Sequence, residues 1–230
     1  MVNQEIIARI IELAELKKDD LVLEIGAGTG NLTKELAKHS KVITFEIDIK
    51  FKKELEAIKN VKVYIGNFLN FEIEEKFTKI VSNIPYNLCE PLLWRFLRLD
   101  FGFAILTVPE KFYKTLNDES SKLIYFNEIF DIKKLLDVPK ESFKPKPRTN
   151  SVVIKITKKP RTNSLIQELI YQYDKLLKNA LIEYFSKSST KKQAKEKIKD
   201  LDIKIKEKNI TELSKKEIDK VISYYQNKPN

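Results

Sequence analysis

The sequence predicts an α/β fold, with a doubly wound, seven-stranded mixed sheet and a small C-terminal all-α domain. Through residue 108, short apolar runs alternate with segments of helical periodicity, which is typical of strands covered by helices. Two further β-like runs follow with no helix between them. From residue 163 onward the pattern is helical, with little β character.

Seven short runs rich in apolar and β-branched residues are the predicted strands. They are Leu21–Ile25, Val42–Ile47, Val61–Ile65, Lys79–Ser82, Gly102–Val108, Phe130–Leu136 and Ser151–Ile156. Helices are predicted over 3–16, capped by Asn3, and over 31–38, 49–58, 91–99 and, in one or two pieces, 109–126. Because the last two strands lack a crossover helix, we expect them to pair antiparallel at one edge of the sheet.

The C-terminal region differs from the rest in both pattern and charge. We expect residues 1–157 to form the α/β domain and 163–230 a helical domain, with helices near 163–185, 189–200 and 214–226. From residue 160 on, 16 Lys and Arg residues face 10 Asp and Glu, which gives about +6 of the net +10. Such an excess suits a nucleic acid partner; the alternative is a solvated bundle whose lysines bind nothing.

Composition excludes several classes of protein. A single Cys rules out an internal disulfide and fits a reducing cytoplasm. No apolar run approaches the roughly 20 residues of a membrane span, and the N-terminus lacks the pattern of a signal peptide. We therefore expect a cytoplasmic monomer with no membrane partner and no metal.

The densest cluster of glycines follows the first predicted strand. Gly26, Gly28 and Gly30 are three of only five glycines, and such a turn lets backbone pass close to a ligand. A dinucleotide site usually shows Gly-x-Gly-x-x-Gly, so the third glycine comes one residue early. Glu24 is unhelpful beside a pyrophosphate, whereas Glu46, at the end of the second strand, suits ribose hydroxyls.

These features favour an adenosyl ligand without phosphates, S-adenosyl-L-methionine. Its sulfonium is cationic, so a nearby carboxylate such as Glu24 would attract it. The alternative is an ordinary glycine-rich turn with Glu46 solvated. After the third strand, Asn67 is placed to hydrogen-bond an adenine edge and Phe68 to wall the ring. The candidate cofactor-binding residues are Glu24, Gly26, Ala27, Gly28, Gly30, Glu46, Ile47, Asn67, Phe68 and Asn83.

The fourth predicted strand ends in Asn83-Ile84-Pro85-Tyr86. One interpretation is a strand-to-helix turn. The other is catalytic: the Asn83 oxygen and the Ile84 carbonyl, held by Pro85, accept the hydrogens of an adenine amine and orient its lone pair. Tyr86 would stack on the base. A paired base must leave its stack to reach such a site.

Four segments together resemble the ribosomal RNA adenine N6,N6-dimethyltransferases of the KsgA type, whose relatives include the Erm enzymes. The segments are Glu24–Gly30 with Leu32–Thr33, Glu46–Asp48, Asn83–Asn87 and Phe143–Pro147. The resemblance implies a class I (Rossmann-like) methyltransferase fold and two successive methyl transfers to adenine N6. It further implies two adjacent adenines near the 3′ end of small-subunit ribosomal RNA as target, a subunit precursor as partner and a role in ribosome biogenesis.

The resemblance also assigns roles in the last segment and the tail. Phe143 is implied to stack on the target base opposite Tyr86, and the helical tail to help hold ribosomal RNA. Lys144, Lys146 and Arg148 flank Phe143 and either hold RNA phosphates or solvate a proline-rich loop.

The sequence departs from the family pattern at three places. Met1 falls about where a Gly-Gln-x-Phe-Leu segment that covers the cofactor in the family would end. Asn67 stands where the family usually has Asp, so its contact with adenine must differ. Residues 108–114 and 121–125 match the family's RNA-contacting stretch only loosely, so target choice is open.

Three other functions compete with this interpretation. One is an Erm-like enzyme that acts on large-subunit RNA. Another is a non-catalytic RNA-binding assembly or transcription factor on the same fold, which would have no need of Asn83-Ile84-Pro85-Tyr86. A DNA adenine methyltransferase would be favoured by a target-recognition insert, and we see none.

Overall fold

The computed structural model describes residues 1–162 and 164–226, which divide into two compact units. The first unit holds residues 1–114 and 130–158, and the second holds 115–129 together with the described residues from 159 onward. We expected all of residues 1–157 in the α/β domain, but 115–129 belong with the helical tail. Asn163 and residues 227–230, at the two ends of the expected tail domain, lie outside the described residues.

The first unit is built on one seven-stranded sheet with the order β3-β2-β1-β4-β5-β7-β6. β1 to β5 run parallel, and β7 pairs antiparallel with both β5 and β6. The expected mixed sheet, with its antiparallel pair at one edge, is confirmed. The strands are β1 Leu21–Ile25, β2 Lys41–Glu46, β3 Val61–Ile65, β4 Lys79–Asn83, β5 Phe103–Pro109, β6 Phe130–Val138 and β7 Ser151–Lys158.

The helices through residue 116 are α1 Gln4–Ala14, α2 Asn31–His39, α3 Lys52–Glu56, α4 Cys89–Phe96 and α5 Glu110–Leu116. The predicted cap is confirmed, because the Asn3 side chain accepts from the Ile6 amide at 3.1 Å. The helix predicted over 49–58 is wrong in length, because residues 49–51 form a 3-10 turn and α3 covers only five residues. Apolar faces of α1 and α2 pack with residues of β1, β2, β4, β5 and β7 in one buried cluster.

The strand order reverses between β1 and β4, where an open α/β sheet forms a crevice at the carboxyl ends of its strands. The two strands are in register only at Val22–Lys79 and Leu23–Ile80. Beyond that point the Ser82 hydroxyl joins them: it donates to the Ile25 carbonyl at 2.6 Å and accepts from the Ile25 amide at 3.2 Å. A side chain thus closes the sheet just before Gly26 and Asn83 enter the crevice.

The second unit is helical, with five helices among its described residues from 159 on where three were predicted. Its helices from residue 159 on are α6 Leu165–Tyr171, α7 Leu177–Ser186, α8 Lys191–Lys197, α9 Ile203–Lys206 and α10 Lys215–Gln226. The single helix predicted over 163–185 is wrong, because the chain leaves the helix at residues 172–176 and Leu176 pairs with Asn209 in an isolated β-bridge. The unit has its own buried core, in which Leu177, Leu181 and Val221 are fully covered.

Two properties bear on the class of protein. Among the described residues, no helix combines the length and apolar character that crossing a bilayer demands. The same residues contain no group of three or more His, Cys, Asp or Glu side chains placed to hold a metal ion.

An ion pair fixes the first residue of β4. Lys79 Nζ lies 2.7 Å from Asp20 Oδ2, and the two side chains are only 11% and 9% exposed. Asp20 also accepts from the Thr78 hydroxyl and the Lys17 amide, each at 2.7 Å, and Lys79 donates to the Glu15 carbonyl at 2.6 Å. The pair therefore holds the loop before β1 against the start of β4.

We predict that Lys79→Met lowers the free energy of unfolding by about 3 kcal/mol, because it leaves the Asp20 carboxylate buried without its cation. Urea denaturation measures the change. The control is Lys133→Met, which breaks an ion pair with Asp131 whose side chains are 67% and 44% exposed, and should cost less than about 1 kcal/mol. Equal losses in the two variants would show that the Asp20–Lys79 pair stabilises no more than a surface pair.

Candidate active site

A groove of about 470 Å³ opens at the carboxyl ends of β1, β2 and β3. Predicted cofactor residues on its wall are Gly26, Gly28, Glu46, Ile47, Asn67 and Phe68, and Asp48, Phe51, Asn87 and Leu88 join them. Glu24, Ala27, Gly30 and Asn83 do not line this groove. Ala27 forms the turn, with its carbonyl accepting from the Gly30 amide at 3.0 Å, and Gly30 begins α2 facing Leu55.

The glycine turn meets the Asn83–Tyr86 segment directly. A Cβ on Gly26 would lie 3.0 Å from Cγ of Pro85, so glycine is what allows Pro85 to pack there. Gly28 has φ of +55°, and a Cβ there would meet nothing within 4 Å. The turn is therefore tight toward Pro85 at Gly26 and open at Gly28, where a ligand can approach the backbone.

Glu46 lies at the end of β2 with its carboxylate fixed by backbone donors. One oxygen accepts from the Gly28 amide at 2.7 Å and the other from the Asp48 amide at 2.9 Å. The residue is 6% exposed yet lines the groove. Because each carboxylate oxygen accepts more than one hydrogen bond, Glu46 keeps capacity for a vicinal diol such as that of ribose. The carboxylate oxygens of Glu46 thus fit the ribose of the predicted adenosyl ligand.

Asn67 and Phe68 stand at the far end of the groove. The Asn67 side-chain oxygen accepts from the Leu69 amide at 3.1 Å and caps a 3-10 turn. That bond leaves the amide NH2 as the group available to a ligand, which is the difference expected from Asn in place of Asp. Phe68 is buried and meets Phe45 edge to face at 5.1 Å, while Ile47 is 72% exposed on the rim.

Glu24, expected beside the sulfonium, is buried and does not line the groove. Its side chain is 1% exposed, and a single carboxylate oxygen accepts from the Thr33 hydroxyl at 2.6 Å and the Thr44 hydroxyl at 3.0 Å. Burial raises the pKa of Glu24 to about 7. Through these two hydrogen bonds the residue ties α2 to β2.

A second cavity, of about 260 Å³, lies on the other side of Pro85. Its wall holds Asn83, Ile84, Pro85, Tyr86, Phe143 and Lys144, with Met1, Gly26, Pro145 and Pro147. All five predicted catalytic residues are thus brought together around one space. Gly26 and Pro85 line both cavities, so the two spaces are neighbours across the Gly26–Pro85 contact.

The polar groups of this cavity come from residues 83 and 84. The Asn83 side-chain oxygen is buried and has no hydrogen-bond partner among the described residues. A buried acceptor without a donor is costly, so one is expected to serve a ligand. The Ile84 side chain is 1% exposed and its amide donates to the Thr107 carbonyl at 3.1 Å, which leaves its carbonyl as the group it can offer a substrate.

The aromatic walls come from two loops. Tyr86 opens a 3-10 turn directly after Pro85, is 41% exposed, and its hydroxyl lies 2.9 Å from the Ser151 hydroxyl. Phe143 follows a 3-10 turn at Lys140–Ser142 and packs against the main core while lining the cavity. The next peptide bond, Lys144–Pro145, is cis.

The predicted RNA-contacting residues lie on the same loop and are exposed. Lys144 lines the cavity. Lys146 forms a surface ion pair with Glu141 at 2.6 Å, a contact weak enough to be exchanged for a phosphate. Arg148 stands at the surface one residue beyond Pro147.

Three residues that shape the site are not among the predicted site residues: Asp48, which was named only as the end of the Glu46–Asp48 segment, Ser82 and Ser151. Asp48 follows Glu46 and lines the groove, so its signal was adjacency to a predicted residue. The two serines act through hydrogen bonds to residues 57 and 65 positions away, and nothing in the local sequence marks them.

The chain was compared with known proteins. The family model described as "Ribosomal RNA adenine dimethylase" matches residues 1–227. A protein of Methanopyrus kandleri named "Probable ribosomal RNA small subunit methyltransferase A" is 34% identical over 69% of this chain and 61% of its own length. A protein of Methanococcus vannielii with the same name is 33% identical over 79% of this chain and 76% of its own. The chain thus spans about three fifths of the first relative's length.

Two solved structures share the fold across nearly the whole chain. The dimethyladenosine transferase of Plasmodium falciparum gives a TM-score of 0.65 at 24% identity and covers 98% of this chain and 97% of its own. The 23S rRNA methyltransferase ErmE gives 0.62 at 19% identity, with 98% of each chain covered. The expected class I, Rossmann-like methyltransferase fold is confirmed.

Burial of Glu24 predicts an unusual dependence of stability on pH. Folding raises its pKa from 4.5 to about 7, so the folded state binds the proton more tightly than the unfolded state. The resulting stabilisation is complete below about pH 4.5 and is lost as the pH rises through about 7. Glu24→Gln keeps an oxygen for Thr33 and Thr44 without a charge, and should be more stable than wild type at about pH 8 by roughly 1 to 3 kcal/mol.

Urea unfolding across this pH range measures the effect, and the two proteins should converge toward pH 5. Glu75→Gln is the matched control of opposite sign, because hydrogen bonds from Lys62 and Tyr64 lower the pKa of Glu75 to about 2. That variant should be less stable than wild type by a constant amount between pH 5 and 8, where the Glu75 carboxylate is ionised in both states, and the difference should fade only as the pH falls from about 4.5 through about 2. A Glu24→Gln variant less stable than wild type at pH 8 would contradict the assignment.

Proposed function

This chain belongs to the ribosomal RNA adenine dimethylase family, and we propose that it transfers two methyl groups in succession from S-adenosyl-L-methionine to N6 of adenine in ribosomal RNA. The names of the curated relatives favour the small subunit, and we take two adjacent adenines near its 3′ end as the target, modified during ribosome assembly in the cytoplasm. One observation carries the proposal: Asn83, whose buried side-chain oxygen has no partner among the described residues, lines the cavity that adjoins the groove across Gly26 and Pro85.

The groove supplies the contacts that an adenosyl group needs. Glu46 would accept from the ribose hydroxyls, Gly28 would let the ligand approach the backbone, and the Asn67 NH2 with Phe68 would meet the adenine. When bound, S-adenosyl-L-methionine supplies an electrophilic methyl group on a cationic sulfonium.

The second cavity supplies what the methyl acceptor needs. An adenine amine is a weak nucleophile because its lone pair is delocalised into the ring. The Asn83 oxygen and the Ile84 carbonyl accept hydrogen bonds from its two N–H groups. These bonds favour a pyramidal nitrogen whose lone pair is directed across Pro85. Since both acceptors are held by the fold, they catalyse mainly through orientation. A monomethylated amine keeps one hydrogen, so one acceptor remains useful in the second transfer.

Tyr86 and Phe143 provide aromatic surfaces for the base. We propose that they hold the flipped adenine between them, as stacking is sequence-tolerant and offsets part of the cost of leaving the helix. No carboxylate or histidine is among the described residues that line the cavity. None is needed, because the amine becomes acidic once methylated and gives its proton to water.

The helical unit is proposed to bind the RNA backbone. On α8, Lys191, Lys192 and Lys195 are exposed and form no ion pair among the described residues. By contrast, Lys175 and Lys178 are paired with Glu183 and Glu207. Three free ammonium groups on neighbouring turns suit successive phosphates.

The function is tested by incubating the protein with labelled S-adenosyl-L-methionine and unmodified small-subunit particles, followed by digestion and detection of dimethyladenosine. We predict that Asn83→Ala lowers kcat at least about 100-fold, which is the cost of losing one preorganised group at a reacting centre. Binding of RNA should change little. Asn70→Ala, an exposed asparagine outside both cavities, is the control and should keep full activity.

Several outcomes would contradict the proposal. Dimethyladenosine formed only on large-subunit RNA would favour an Erm-like enzyme. RNA binding without label on any ribosomal substrate would favour an assembly factor. Asn83→Ala activity within threefold of wild type would refute the acceptor role.

A second prediction concerns α8. Replacing Lys191, Lys192 and Lys195 together by Gln should weaken RNA binding and reduce the salt dependence, because each lost phosphate contact removes about 0.7 to 0.9 from the slope of log K against log salt. Fluorescence anisotropy over a salt series measures both quantities. The control variant carries Gln at the ion-paired residues Lys175, Lys178 and Lys215, with the same change in net charge. Equal effects would show that only total charge matters.

A further inference from the structure

Tyr86 carries a hydroxyl that base stacking does not require, and that hydroxyl is held. Its oxygen lies 2.9 Å from Oγ of Ser151. The Tyr86 residue is 41% exposed, whereas Ser151 is 1% exposed. One end of the ring is thus anchored in the sheet while the ring lines the cavity.

Ser151 is a rigid anchor. It is the first residue of β7 and is paired with Pro109 on one side and Val138 on the other. The preceding residue, Asn150, is also fixed: its carbonyl accepts from the Glu110 amide, and its side chain accepts from the Lys140 amide, each at 3.1 Å.

The same anchor ends the loop that carries Phe143. Residues 139–150 connect β6 to β7, and the Asn150–Lys140 bond closes this loop near its base. The Tyr86–Ser151 bond therefore ties the segment after β4 to the base of the Phe143 loop. The two aromatic residues come from distant parts of the chain but share one support.

We propose that Ser151 is a positioning residue that holds the Tyr86 ring in place relative to Phe143, so that the two aromatic surfaces are set before the target base arrives. This inference rests on the proposed function. A preset pair loses less side-chain freedom when the base enters, and it keeps the amine aligned with Asn83. It also explains why position 86 holds Tyr and not Phe.

The test is methyl transfer to small-subunit particles by a set of variants. Ser151→Ala should lower kcat about three- to tenfold, the range that one hydrogen bond controls. Binding of S-adenosyl-L-methionine, measured by calorimetry, should be unchanged, because Ser151 does not line the groove. Ser151→Thr keeps the hydroxyl and suits a strand, so it should restore kcat.

Tyr86→Phe should match Ser151→Ala in kcat, and the double variant should lose no more than either, since both remove one bond. The midpoints of thermal unfolding should differ, however. Tyr86→Phe leaves the buried Ser151 hydroxyl without a hydrogen-bond partner, whereas Ser151→Ala leaves an exposed Tyr86 hydroxyl that can bond to water. Tyr86→Phe should therefore have the lower midpoint of thermal unfolding.

Two failures are distinguishable. A folded wild type that transfers no methyl overturns the proposed function and this inference with it. An active wild type whose Ser151→Ala variant stays within twofold in kcat, or whose double variant shows additive losses, overturns this inference alone.

Discussion

The packing of Pro85 against Gly26 is the contact on which the rest of the site depends. With no Cβ at Gly26, the segment after β4 lies directly against the turn after β1. That approach makes the groove and the second cavity share a wall, with Asn83 beside it. The two cavities can share this wall because β1 and β4, which end at Gly26 and Asn83, are neighbours in the sheet. They are neighbours because the strand order reverses between them. The Ser82 hydroxyl keeps those ends together where backbone pairing stops.

Glu24 on β1 and Glu46 on β2 show how the surroundings of two similar side chains on neighbouring strands give them different properties. Glu46 accepts hydrogen bonds from two backbone amides at the edge of the groove. Glu24, one strand over, meets only threonine hydroxyls in the interior, where an anion is poorly solvated, and its pKa rises to about 7. The first lines the groove, and the second joins α2 to β2 in the interior.

Much of the fold and the outline of the site could be predicted from the sequence, because both depend on local pattern. The alternation of strands and helices predicted the parallel part of the sheet, and the absence of a helix between the last two strands predicted its antiparallel edge. The positions of Glu46 and Asn83 at strand ends predicted that they lie at the edge of the sheet where the cavities open. What failed depends on distant partners. The hydroxyls that donate to Glu24 come from α2 and β2, and Ser82 and Ser151 act across more than fifty residues. The break between α6 and α7 exists because Leu176 pairs with Asn209, a contact that helical periodicity cannot show.

The direction of β7 has a consequence for how such a protein can diversify. Because β7 runs against β5 and β6, its first residue lies beside the last residues of both, at Pro109 and Val138. The β6–β7 hairpin thus delivers Phe143 to the edge where the parallel strands present Gly26 and Asn83. The groove is built from the parallel half of the sheet, whereas the second cavity takes the Phe143 part of its wall from the appended hairpin. Under the proposed function, a longer or altered hairpin would change the contacts offered to the substrate and leave the groove unchanged.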